Sequence, residues 1–159
     1  IRGLVLGFIK VDYEVRKRYI DSFITEIDNW ATCDIVVSNL KFLKKEKDIY
    51  YNFIKECVSS NDNWRIRFGL VTLLGYYLEE NYIDEIFYLC TNITNREYYV
   101  KMAQAWLISI MFIKFREKTL DYLKENTLDN WIQNKTIQKI RESIRVSKED
   151  KDLVLTFKR

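Results

Sequence analysis

No proline and no histidine occur in this chain of 159 residues, and only four glycines and three cysteines do. At an ordinary usage of about 5%, roughly eight prolines would be expected. Their absence argues against a sandwich or barrel built on tight turns and favours long helices with short connections. The missing histidine removes more chemistry. Neither a Ser-His-Asp nor a Cys-His nucleophile system can be assembled, nor a zinc site that depends on imidazole. Any catalysis must run on carboxylates, Lys, Tyr, Cys or backbone groups. Cys33, Cys57 and Cys90 are odd in number, far apart and outside any CxxC pattern. They read as reduced core thiols of a cytoplasmic protein, not as a disulfide scaffold or a thiolate metal site. No apolar run approaches the ~18 residues of a membrane span. The opening Leu4-Val5-Leu6-Gly7-Phe8-Ile9 is too short for one.

What is present suits a packed helical protein: 48% of residues are hydrophobic and 15% aromatic, enough for a real core. Lys plus Arg exceed Asp plus Glu by 26 to 23, a net charge of only +3, but the distribution is uneven. Between Lys135 and Arg159 eight basic residues face four acidic ones, so this stretch carries +4 and the remainder −1. A basic end on a near-neutral body suits a polyanion partner; a solvated helix face accounts for the same charges.

Apolar residues recur at helical spacing along the whole chain, punctuated by Asn, Asp, Ser and Thr. Ile1, Leu4, Val5 and Phe8 form an opening stripe with no capping residue before it. That start suggests the C-terminal part of a longer protein, lacking its N-terminal helices, with residues 1–159 as a single HEAT-like domain. Asp12 is placed to cap a helix running through Tyr19, Phe23 and Ile27, and Asp28-Asn29 to cap one carrying Trp30, Cys33, Asp34, Val37 and Leu40. A third spans about 44–57, with Tyr50, Phe53, Ile54 and Cys57 inward. Asn61-Asp62-Asn63 breaks the chain before an apolar, central helix over 64–78. Further helices are expected over 82–90, 95–113, 115–124 and 127–145, and Ser147 starts a last short one. The resulting antiparallel pairs, near 12–42, 44–78, 82–113 and 115–146, repeat at the period of an α-solenoid. The fold class expected is all-α: a HEAT-like solenoid with a concave binding face.

Several residues within this pattern carry chemistry. Trp30 and Asp34 are spaced i, i+4 and share one helix face just after a cap, where a carboxylate is favoured. The same spacing describes a core tryptophan beside a surface aspartate. Trp64 and Arg67 repeat the idea at i, i+3; Arg67 can reach a phosphate, or lay its stem on the core like any exposed arginine. Trp106 follows the small residues Ala103 and Ala105, which permit close helix approach, and Trp131 reads as packing near a cap at Asp129 or Asn130.

The run Ile27-Asp28-Asn29-Trp30-Ala31-Thr32-Cys33-Asp34 resembles the Trp-x-x-x-Asp motif of AlkD-like DNA alkylation repair proteins, bacterial glycosylases built of HEAT-like repeats. Asn63-Trp64-Arg65-Ile66-Arg67 is similar to that family's Trp-x-x-Arg segment, and 98–106 resembles its third segment, which ends in an active-site Trp. The stretch 134–145 has the family's character too. Two departures stand out: the family's further N-terminal helices are not in this chain, and Met102-Ala103-Gln104-Ala105 stands where many relatives have Lys-Ala-Ile-Gly.

The resemblance implies a catalytic carboxylate at Asp34 and lesion contacts from Trp30 and Trp106. Backbone contacts would come from Arg67, Arg65, Lys101, Lys135 and Lys139. The implied partner is double-stranded DNA with alkylated bases, bound by a monomer, with no cofactor, metal or membrane. The chemistry fits the composition. An N3- or N7-alkylated purine is cationic and leaves as a neutral base, so no general acid is required and a missing histidine is no obstacle. A carboxylate near the deoxyribose can stabilise the developing oxocarbenium charge. A non-catalytic HEAT-like module that binds DNA or protein on the same scaffold is the competing expectation.

Overall fold

The computed structural model describes residues 2–159, so Ile1 of the opening stripe lies outside it. Among the described residues there are ten helices and no strand, which is the all-α class expected. Six helix starts carry a side-chain cap whose oxygen accepts from a free backbone N–H. Asp12 accepts from Val15 N at 2.9 Å, Asn29 from Thr32 N at 2.8 Å and Asp62 from Arg65 N at 2.7 Å. Glu97, Asp129 and Ser147 accept from Tyr99 N, Trp131 N and Asp150 N. Each such cap contributes typically ~1 kcal/mol.

The chain divides into two compact units, one ending at Tyr77 and the other beginning at Leu78. The first holds α1 (Arg2–Val5), α2 (Tyr13–Ile24), α3 (Trp30–Ser38), α4 (Leu43–Val58) and α5 (Asn63–Tyr76). At its centre, α5 buries every residue from Ile66 to Leu73 and packs on α3, α4 and α2. Gly69 sets how closely α4 can approach: a β-carbon there would stand 2.7 Å from Val58 Cγ2 and 3.0 Å from the Val58 nitrogen. Tyr50, Phe53, Ile54 and Cys57 of α4 all point inward as expected. The α2 helix turns Arg16, Ile20, Phe23 and Ile24 to the core, leaves Tyr19 exposed and stops at Ile24, short of Ile27. The α1 helix stops at Val5, so Phe8 of the opening stripe lies beyond it, and Leu4, Val5 and Phe8 are exposed. Buried Arg16 is held by Glu46 at 2.7 Å, the Tyr50 hydroxyl at 3.2 Å and the Ile9 carbonyl at 3.0 Å.

The second unit holds α6 (Glu80–Asn92), α7 (Tyr98–Lys114), α8 (Arg116–Glu125), α9 (Asn130–Glu142) and α10 (Lys148–Leu155). Here α7 is central, packing on α6, α8 and α9, while α10 lies on α9. Ala103 and Ala105 are both buried, as their size foretold. Gln133 ties the end of the chain back by donating to the carbonyls of Leu123 at 2.9 Å and Phe157 at 3.0 Å. The α9 helix is shorter than the expected 127–145 because Asp129 caps its start and Ser143 leaves it in an extended conformation. Within each unit the most extensive packing includes helices next but one in sequence, α3 with α5 and α7 with α9. Stacked helix pairs of a solenoid meet in this way.

Candidate functional site

Asn29 starts α3 so that Trp30 occupies its first turn and Asp34 the next, on one face of the helix. Their burial reverses the ordinary arrangement. Trp30 is 51% exposed, while the Asp34 side chain is only 18% exposed. Apolar indole normally goes inside and carboxylate outside. The reason Asp34 can sit inward is Arg67, which reaches it from α5. Arg67 Nε donates to Asp34 Oδ1 at 3.0 Å and Nη2 to Oδ2 at 2.8 Å, a two-pronged charge-assisted pair. Arg67 itself is 5% exposed, so the structure turns its guanidinium to the carboxylate rather than to a phosphate at the surface. It is neither the ordinary exposed arginine nor, in this state, a free backbone contact.

Arg65, two residues earlier, is likewise engaged, with Nη2 on the carboxylate of Asp21 and Nη1 at 3.7 Å from Cys57 Sγ. Trp64, at the start of α5, is half-buried. Beside Asp34, burial first and then the Asp34 charge push the Cys33 thiol up to about 12. Burial also raises Cys57 and Cys90 to about 12, so none of the three is an activated nucleophile. Asp34 is therefore the group on this face with reach to solvent and a fixed orientation.

Trp106 lies in the second unit, half-buried on α7. It borders a shallow groove of about 240 Å³ with Ser109, Ile110, Lys139, Glu142 and Arg145. An indole beside two cations is a setting for a stacked base near phosphate. Lys101 and Lys135 do not stand free: both ammonium groups lie over the ring of Trp131, at 4.5 and 5.5 Å from its centroid. Trp131 is half-buried and packed edge-on against Tyr98 at 6.0 Å. The Lys135 half of this contact follows from i, i+4 spacing on α9. The Lys101 half has no sequence signal, because it comes from another helix.

Charge pairing is uneven as well. Arg16, Arg65 and Arg67 of the first unit, and Arg116, Lys118 and Lys124 of the second, each meet a carboxylate. Among the described residues, Lys101, Lys135, Lys139, Arg141, Arg145 and Lys158 form no ion pair. Lys135, Lys139 and Arg141 lie together on α9, an arrangement open to a polyanion, and Lys10, Arg18, Lys41, Lys44 and Lys45 of the first unit likewise form no ion pair among the described residues.

No described helix is long and apolar enough to cross a membrane. Residues 8–145 match the family described as DNA alkylation repair enzyme. No curated protein and no solved structure matches the chain.

Proposed function

The chain belongs to the DNA alkylation repair enzyme family, and from that premise we propose that it is a DNA glycosylase excising cationic N3- or N7-alkylated purines. The observation that carries the proposal is the inverted pair on α3: an exposed Trp30 one turn before an inward Asp34 gripped by Arg67. Arg67 accounts for the inward carboxylate, and the exposed indole beside it gives a cationic base a surface to stack on within reach of that carboxylate.

In the reaction the N-glycosidic bond breaks with its electron pair passing to the purine, which departs neutral. Positive charge grows on the deoxyribose, and Asp34 offsets it and orients the water whose oxygen bonds to the anomeric carbon as its proton passes to the carboxylate and on to solvent. Arg67 acts as a positioning residue that fixes both carboxylate oxygens, each keeping a lone pair for water or sugar. Trp30 contacts the cationic base, a cation–π contact contributing roughly 0.5–2 kcal/mol. A normal purine has neither that attraction nor the good leaving group, so selection and rate share one origin. Lys101, Lys135 and Lys139 supply backbone contacts to double-stranded DNA, and Arg65 joins them where its pairing with Asp21 allows.

One observation favours the competing reading, a non-catalytic binder: both Asp34 oxygens are already engaged by Arg67. Release of 3- or 7-methylpurine from alkylated duplex separates the two. Asp34→Asn is expected to slow release by about 10²-fold or more, the scale for losing one preorganised electrostatic group. If the wild type releases no base, or the variant is as fast, the enzyme reading fails.

A further inference from the structure

We propose that Trp64 is the second aromatic wall of the base site, meeting the damaged base from α5 while Trp30 meets it from α3. The inference rests on the reading of the chain as a glycosylase for cationic purines and gives a role to Trp64, which that reading leaves without one.

Helix register brings the two indoles to one place. Arg67 of α5 bonds Asp34 of α3 at 3.0 and 2.8 Å, and farther along both helices the Tyr76 hydroxyl donates to the Val37 carbonyl at 2.9 Å. The two contacts advance in the same direction along both helices, so α3 and α5 run parallel. Antiparallel helices meeting at Asp34 and Arg67 would carry Tyr76 past the start of α3, about 18 Å along the axis from Val37 and out of a phenol's reach. The two helix starts therefore lie at one end. Asn29 caps α3 and Asp62 caps α5, so Trp30 is the first residue of one helix and Trp64 the second of the other. Trp30 precedes Asp34 by four residues and Trp64 precedes Arg67 by three. Each indole thus stands one turn before a member of the ion pair and on the same helix face as that member. Asp34 and Arg67 meet across the interface, so these are the faces that α3 and α5 turn toward each other.

The spacing and the charge both suit an alkylated purine. Axes of packed helices stand about 8–10 Å apart. A planar base with an indole on either side needs about 7–8 Å between them, two van der Waals contacts. Trp30 is exposed and Trp64 only half-buried, so both keep surface for a ligand. One turn farther on, the Asp34–Arg67 pair carries no net charge, and a cationic base meets no net repulsion from the guanidinium. A neutral purine stacks on an indole without the cation–π attraction. A second indole therefore raises the preference for the cationic base, and not affinity for DNA alone.

The test is fluorescence anisotropy of the purified chain with two labelled duplexes. One carries a single 7-methylguanine on a 2′-fluorinated sugar, which resists cleavage, and the other carries guanine at that position. The readout is the ratio of the two affinities. Trp64→Leu is expected to lower that ratio by about 2–30-fold, the scale of one cation–π contact, and Trp64→Phe by less. A tryptophan that only packs moves both affinities together, so a wild-type ratio in Trp64→Leu overturns the second wall and leaves the glycosylase reading standing. If Trp64→Leu melts early, Trp64→Phe and Trp64→Tyr carry the test, and a wild-type ratio in both overturns it. Equal affinity of the wild type for the two duplexes also overturns the wall. Release of 7-methylguanine from the unfluorinated duplex would then keep the glycosylase reading, and no release would remove both.

Discussion

Replacing Arg67 by methionine tests the central contact most directly. The change keeps the aliphatic stem against the core and deletes the guanidinium that spans Asp34 at 2.8 and 3.0 Å. Hydrogen bonds to charged groups contribute about 1.5–3 kcal/mol each, and truncating one partner of a fully buried pair costs about 3–5 kcal/mol. The Asp34 side chain retains 18% of its exposure, so water partly rehydrates the orphaned carboxylate. The expected destabilisation is therefore about 2–3 kcal/mol for Arg67→Met. Asp34→Asn keeps one acceptor but turns an amide N–H toward the guanidinium, for about 1–2 kcal/mol. The double variant leaves a neutral pair and should cost less than the sum, by a coupling of about 1–2 kcal/mol. Urea unfolding of the four proteins, with m-values checked for constancy, measures each term. Zero coupling, or an Arg67→Met variant within about 0.5 kcal/mol of wild type, would refute the argument that this pair holds Asp34 inward. Arg67→Lys retains charge without the fork, and its base release is expected between those of wild type and Asp34→Asn.

Two glycines of α5 should respond in opposite directions. Gly69→Ala meets a side-chain carbon at 2.7 Å and a backbone nitrogen at 3.0 Å, and overpacking of that kind costs about 1–3 kcal/mol. Gly75→Ala meets nothing within 4 Å and should raise stability by about 0.5–1 kcal/mol; thermal melts of both variants would check the signs. Stability should also fall in acid through Asp150, whose carboxyl the Arg116 guanidinium holds below the ordinary carboxylate range. Near pH 4 the unfolded chain binds more protons there than the folded one, so this contribution is present above the ordinary carboxylate value of about 4 and is lost as pH falls through the depressed one. Melting temperatures between about pH 2 and 5 should be less steeply pH-dependent in Asp150→Asn than in wild type; equal slopes would count against the pairing. With their thiols pushed up to about 12, Cys33, Cys57 and Cys90 should resist a disulfide reagent in the native protein and all react once it is unfolded. At pH 8 only about one thiol in 10⁴ is thiolate, and rapid native labelling of any of the three would contradict their burial.

Much of this architecture follows from interactions a few residues long. Apolar spacing near 3.6 turns the chain into helices, and Asp12, Asn29, Asp62 and Ser147 start them because a cap bonds only two or three residues ahead. The central place of α5 follows from its largely apolar stretch from Phe68 to Leu74. The α9 helix begins and ends inside its expected range, its start fixed by the Asp129 cap and its end by an extended Ser143.

Side-chain destiny on those helices was settled elsewhere. Spacing put Trp30 and Asp34 on one face but left open which of them goes inward. Arg67, 33 residues away, supplies the counter-charge that lets the carboxylate be the one. Likewise Trp131 becomes a platform because α7 brings Lys101 over its ring, across 30 residues of chain. Helix formation is decided by neighbours in sequence, and burial and charge pairing by neighbours in space. The composition accordingly sufficed for an all-helical chain without histidine chemistry, and packing chose which carboxylate is held, which tryptophans face outward and which cations stay unpaired.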